Sequence, residues 1–239
     1  MKKLIIAGLI VGVVGLVFAT AVGATSLKGR LGLRLYGGQS WINPSDYNDM
    51  LEVGKEWFEA EGAETELQKM ENTTLFGGDL RYGLTDNLVL AAGYLSESSK
   101  GMLKGTITKN NPGTESFTIE DQGQMTGYTG SFNYTLVDPP GLNLYLVGGA
   151  GSYILKVHST GSGDWYVMGP WDKTGQSEST IGYHGGLGLQ WFLSPQVALD
   201  IEALYRSLVI PDFAVNGENV GFDFDLSGLI GILSLTFYL

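Results

Sequence analysis

The last nineteen residues, GFDFDLSGLIGILSLTFYL (221–239), constrain the fold more than any other stretch. Successive side chains of a β-strand point to opposite faces. Reading back by twos from the end gives Leu239, Phe237, Leu235, Leu233, Gly231 and Leu229, an unbroken apolar face. That face turns polar at Ser227, Asp225 and Asp223. The opposite face, Tyr238, Thr236, Ser234, Ile232, Ile230, Gly228 and Leu226, is mixed. A strand that crosses a bilayer within a barrel takes about 9–11 residues at a tilt near 45°. The apolar face from Leu229 to Leu239 has that length. The competing reading is a buried strand of a soluble sandwich.

No stretch after residue 24 is long and apolar enough for a transmembrane helix. A mature chain that enters a membrane must then do so as a closed β-barrel, because closure pairs every backbone group without a helix. The chain begins with Lys2 and Lys3, an apolar run Leu4–Ala19, and two small-x-small sites, Ala19-Thr20-Ala21 and Val22-Gly23-Ala24. This is the pattern of a secretory signal peptide, with cleavage expected after Ala24. The alternative is an uncleaved anchor helix over 4–24. Residues 25–239 are expected to form a single barrel domain. Loss of Lys2 and Lys3 takes the 14 basic residues to 12 against 25 acidic, a net charge of −13. Such a surface repels nucleic acid. Cysteine is absent, which excludes disulfides, thiolate nucleophiles and thiolate metal sites.

Eight strands are expected, at 28–38, 73–83, 88–109, 115–136, 143–160, 174–193, 197–210 and 221–239. Long polar connections (39–72, 110–114, 161–173 and 211–220) alternate with short ones at 84–87, 137–142 and 194–196. The short ones carry the Asp, Asn, Pro and Gly of tight turns. Bacterial barrels have this asymmetry, with short periplasmic turns and longer outer loops. An even strand count puts both termini on the periplasmic side.

The faces agree across strands. Phe76, Gly78, Leu80 and Tyr82 oppose Gly77, Asp79 and Arg81. Tyr128, Gly130, Phe132, Tyr134 and Leu136 oppose Thr129, Ser131, Asn133 and Thr135. Val197, Leu199, Ile201, Ala203 and Tyr205 oppose Asp200, Glu202 and Arg206. The fifth strand is apolar on both faces and its register stays open. A soluble core cannot bury both an apolar and an ionic face cheaply; lipid outside and paired ions inside can. Tyr82, Tyr134, Trp191 and Phe237 all fall near the short-turn end, as an aromatic girdle.

On the terminal strand with Phe237 and its hydrophobic last residue, FGGDLRYGLTDNLVLAAGYL (76–95) and GLGLQWFLSPQVALDIEALYR (186–206), the chain resembles the small eight-stranded bacterial outer-membrane β-barrel proteins of the OmpA transmembrane-domain, OmpW and opacity-protein type. The resemblance covers essentially all of 25–239. It departs at Leu239, where those families usually end on phenylalanine. It implies an all-β, eight-stranded antiparallel up-and-down barrel, contact with outer-membrane lipid and lipopolysaccharide, and assembly by the barrel assembly machinery.

Eight strands enclose a lumen that side chains can fill. Arg30, Arg34, Asp79, Arg81, Asp200, Glu202 and Arg206 are expected to form an ionic network there, with His184 beside it. No cofactor, metal or catalytic residue is expected. His158-Ser159-Thr160-Gly161 does not match the His-x-Ser-Asn pattern of barrel deacylases. Glu218, Asp223 and Asp225 are more simply a solvated acidic strand end than a calcium site. In the first long loop Asn43-Pro44 opens a short amphipathic helix with Asn43 as its cap, whose stripe is Tyr47, Met50, Leu51, Trp57 and Phe58. Nine acids and two lysines lie between Gln39 and Asn72, a net of −7. The expected role is structural or surface-exposed, with a narrow or plugged lumen. One alternative is passage of small, mainly hydrophobic molecules along Phe192, Leu226, Ile230 and Ile232. The other is adhesion through the outer loops, with Trp165, Tyr166 and Trp171 as anchors.

Overall fold

The computed structural model describes residues 26–42, 44–109, 113–163, 171–211, 213–215, 218–219 and 223–239. The expected signal peptide (1–24), Asn43, Trp165 and Tyr166 lie outside these, and so do the side chains of Trp171 and Glu218. The elements are β1 (Leu31–Ile42), α1 (Ser45–Ala60), β2 (Ala63–Gln68), β3 (Asn72–Gly83), β4 (Leu88–Lys109), β5 (Gly113–Val137), β6 (Leu142–Gly163) and β7 (Trp171–Gln176). Then follow β8 (Thr180–Ser194), β9 (Val197–Ser207), β10 (Val209–Ile210), β11 (Ala214–Val215), β12 (Glu218–Asn219), β13 (Phe224–Asp225) and β14 (Gly228–Tyr238).

Eight strands pair antiparallel in the cyclic order β1–β3–β4–β5–β6–β8–β9–β14, and β14 returns to β1 from Gly32↔Tyr238 to Ile42↔Gly228. This is a closed eight-stranded barrel with no free edge around its girth. The short turns are built locally. In the β3–β4 turn the Thr85 hydroxyl accepts hydrogen bonds from the N–H groups of Asn87 and Leu88, at 3.2 and 3.0 Å. Ser194 does the same for Gln196 and Val197 in the β8–β9 turn, at 3.3 and 3.1 Å. The β5–β6 turn needs Gly141 at φ 80°, a conformation that side chains disfavour.

The long connections differ from expectation. Residues 39–72 are not a loop with one helix: β1 continues to Ile42, and β2 pairs with the upper part of β4. The expected strand 174–193 is two strands, of which β7 pairs with the upper part of β6. The expected 221–239 splits into β13 and β14, and β9 ends at Ser207 before the separate pair β10–β13. β4, β5 and β6 have 22, 25 and 22 residues, about twice what a bilayer crossing needs. Their upper halves therefore stand beyond the membrane-length barrel and carry β2 and β7 on their flanks.

The lumen is packed in alternating layers, and the inward face of β9 reads through them in order. Ala198 belongs to an apolar layer at the short-turn end with Leu27, Val89, Phe192 and Tyr238. Asp200 and Glu202 are in an ionic layer. Leu204 joins Leu75, Tyr145, Val147, Ile230 and Ile232. Arg206 is in a second ionic layer. Leu208 and Ile210 enter the apolar core of the long-loop end, where α1 packs through Tyr47 and Leu51.

Candidate functional site

The candidate site is the lumen with its helical cap. In the first ionic layer Arg34 approaches Asp79 at 2.5 Å and Glu202 at 2.5 Å. Arg81 lies 3.1 Å from Asp79, 3.5 Å from Asp200 and 3.3 Å from Glu202. Neutral donors add to it, on one oxygen of Glu202 and on Asp200, while Glu202 Oε2 has no hydrogen-bond partner among the described residues. Thr236 donates to Asp200 at 2.6 Å and Gln190 at 2.7 Å, while the Tyr145 hydroxyl donates to Glu202 at 2.9 Å. All five ions are buried. Charges that deep are tolerated only when paired and hydrogen-bonded. Tyr145 reaches them because the facing position is Gly188: a Cβ there would overlap the tyrosine ring.

Arg206 does not join that layer. It pairs with Glu97, and its Nη2 donates to the Leu226 carbonyl at 3.1 Å, while Thr73 donates to Glu97 at 2.7 Å. Arg30 does not join either layer, which corrects the sequence reading. It precedes β1, donates to the Pro195 carbonyl at 2.7 Å and lies 5.1 Å from the Tyr238 ring centroid, at the short-turn end. Glu97, Tyr145 and Gln190 were missed. Glu97 is an even number of positions from Val89 and Ala91, so strand parity alone would place it inside.

His184 faces the lumen between the two ionic layers. His158 faces outward, with Nδ1 3.1 Å from the Thr174 hydroxyl, and strand alternation turns Ser159 to the other face. Asp225 accepts from the Ser227 N–H at 2.9 Å. Tyr82, Tyr134, Trp191 and Phe237 all point outward at the short-turn end. Trp41, Phe76, Tyr94, Tyr128, Tyr183 and Tyr205 form a second outward aromatic band toward the long-loop end.

The helix departs from expectation twice. Pro44 takes the cap position without a side-chain hydrogen bond, and its carbonyl accepts from Asn48 N at 2.9 Å. The expected stripe divides: Tyr47, Leu51 and Phe58 are 2–4% exposed, but Met50 and Trp57 are 45% and 50% exposed. Positions 47, 51 and 58 follow one line down the helix, and 50 and 57 follow another about 100° away. The Tyr47 hydroxyl donates to Asp121 in a very short hydrogen bond, and its ring stacks on Phe224 at 5.4 Å. Burial first, and then the Asp121 carboxylate, push the Tyr47 hydroxyl well above the ordinary tyrosine range.

No curated protein matches the chain. Among solved structures it is similar to the N-terminal β-barrel domain of Pseudomonas aeruginosa OprF, with 13% identity over 89% of this chain and 98% of that one, TM-score 0.38. It is similar to the P. aeruginosa outer membrane protein OprG, with 12% identity over 91% and 98%, TM-score 0.40. It is also similar to Ail, the attachment invasion locus protein of Yersinia pestis, with 12–13% identity over 89% and 99%, TM-score 0.40–0.45. A closed eight-stranded barrel, aromatic on its outside and ionic within, is thus joined to a match of residues 11–227 to the outer membrane protein beta-barrel domain, and the chain belongs to that outer-membrane family.

Proposed function

We propose that this is a non-conducting outer-membrane barrel with a structural and surface-exposed role. In this reading residues 1–24 are removed on export, the barrel assembly machinery inserts the mature chain, and both termini face the periplasm. The observation that carries it is the lumen packing. The cavity between the two ionic layers measures about 40 Å³, and the one above the second layer about 10 Å³. Those volumes hold a water or two, not a file of solute. Phe192, Leu226, Ile230 and Ile232, which motivate passage of hydrophobic molecules, are packed into the apolar layers instead.

The test is single-channel recording of the refolded mature protein in a planar bilayer, with folding checked by heat-dependent gel migration. A folded, silent barrel is expected; reproducible discrete steps overturn the reading. Orientation is tested separately. With no native cysteine, Lys173→Cys should react with an impermeant maleimide on intact cells and Gln196→Cys should not. The projecting sheet of β4, β5 and β6 favours a surface role over one confined to anchoring.

A further inference from the structure

The outer wall has a recess where β4 changes partner. β3 pairs with β4 up to Thr74↔Ser98, and β2 takes over only from Gln68↔Met102. Among the described residues, Ser99, Lys100 and Gly101 have no ladder partner on that edge. The chain between β2 and β3 has turned inward. Asn48 of α1 clamps both backbone groups of Met70, accepting from its N–H at 3.0 Å and donating to its carbonyl at 3.3 Å, and Met70 is buried in the cap core. The gap left outside measures about 570 Å³, within the range of small-molecule sites.

Its lining is polar, directly above an apolar wall. Phe76 is the outward residue next below Thr74, and Tyr94 and Tyr128 lie at a similar level on β4 and β5. Two residues of strand rise about 6.6 Å, or about 5 Å along the membrane normal at a usual tilt. The headgroup layer outside the hydrocarbon is only about 5–8 Å thick on each side. The recess therefore sits at headgroup depth.

Its chemistry selects among headgroup parts. Gln68, Asn72, Gln122 and Gln124 contribute carboxamides. Each offers both donors and an acceptor, the complement of a hydroxyl that also does both. The two ammonium groups present are already engaged, Lys69 with Glu52 at 2.6 Å and Lys100 with Glu120 at 3.2 Å. The hydrogen bond from Lys69 also holds Glu52 below the usual carboxylate range, so that pair is charged on both sides at neutral pH. Little uncompensated positive charge is left for a phosphate.

We propose that this recess binds a hydroxyl-rich sugar, presented as a glycolipid headgroup in the outer leaflet. The lipid source rests on the orientation proposed above; the sugar chemistry does not. The test is native mass spectrometry of the full mature protein released from nanodiscs of phosphatidylcholine and galactosyl diacylglycerol. The wild type should retain the glycolipid preferentially. Asn72→Ala/Gln122→Ala/Gln124→Ala should lower that preference about tenfold or more, from three lost polar contacts. Gln122→Ala alone should lower it less, and Ser207→Ala, on the opposite wall, should not change it. All are checked for heat-dependent migration. Equal retention by the triple variant overturns the site. Preference for added phosphatidylglycerol, lost in Lys100→Gln, overturns the sugar assignment in favour of phosphate. Saturation-transfer signals from free methyl galactoside, lost in the triple variant but without glycolipid enrichment, keep the sugar class and overturn the lipid source. Nanodiscs expose both ends, so a failed orientation test on cells leaves this result readable.

Discussion

Asp200 is the residue on which lumenal donors converge: Thr236 and Gln190 by hydrogen bond, and Arg81 by charge. Asp200→Ala should lower barrel stability by about 3–5 kcal/mol, because removing one member of a buried ion cluster leaves the others uncompensated. Urea unfolding from lipid vesicles reads this directly, and an unchanged midpoint contradicts a stabilising role. Tyr47 makes a second prediction. Its hydroxyl is held protonated in the folded cap and ionises near pH 10 when unfolded. The folded state thus keeps a proton that the unfolded state releases, so this contribution is complete below about pH 10 and is lost as pH rises beyond it. The helical circular-dichroism signal should fall above that pH in the wild type, and Tyr47→Phe should lack that component. Strand alternation read from the sequence governs side-chain direction where the ladder is regular. Arg34, Asp79, Arg81, Asp200 and Glu202 all sit at inward positions of paired strands. It failed at Arg30, which shares their parity but precedes the strand, where alternation no longer governs direction.

At the scale of elements, α1 is the piece whose role depends most on packing. Its first two turns enter the apolar core through Tyr47 and Leu51, and Phe58 stacks on Phe117 at 3.9 Å. Leu51→Ala should destabilise the cap by about 2–5 kcal/mol. The expected readout is faster proteolysis within 45–60 while the heat-dependent migration of the barrel persists, since among the described residues no lumenal ion pair involves the helix. Loss of the migration shift would mean that cap and barrel unfold as one unit. The helix was legible from Pro44 and its spacing of apolar residues. Which apolar line would be buried was not, because Met50 and Trp57 fit the same stripe until β2, β4 and β13 set the side that α1 presents inward. Likewise β6 alternates apolar with apolar. Only the space at Gly188 and the acceptors on β9 turn Tyr145 inward.

The whole molecule is an apolar cylinder with polar ends, and its outside makes the remaining prediction. Leu233 lies on the outward face of β14, midway between Leu229 and Phe237. Leu233→Arg should destabilise folding into bilayers by about 2–4 kcal/mol, whereas Thr74→Arg, above the aromatic band, should cost no more than about 1 kcal/mol. Vesicle-based unfolding of the two variants compares them, and equal costs would mean that the apolar band is misplaced. The sequence by itself determined the architecture: period-two alternation, turn residues at short spacing and an apolar face of membrane length leave a closed eight-stranded barrel as the solution, because lipid admits no unpaired strand edge. The tertiary structure alone decided that the lumen is packed in alternating ionic and apolar layers, that Arg206 pairs with Glu97 apart from the first ionic layer, and that Met70 turns inward to open the outer recess. Those outcomes depend on register between strands far apart in sequence, and local patterning carries no record of register.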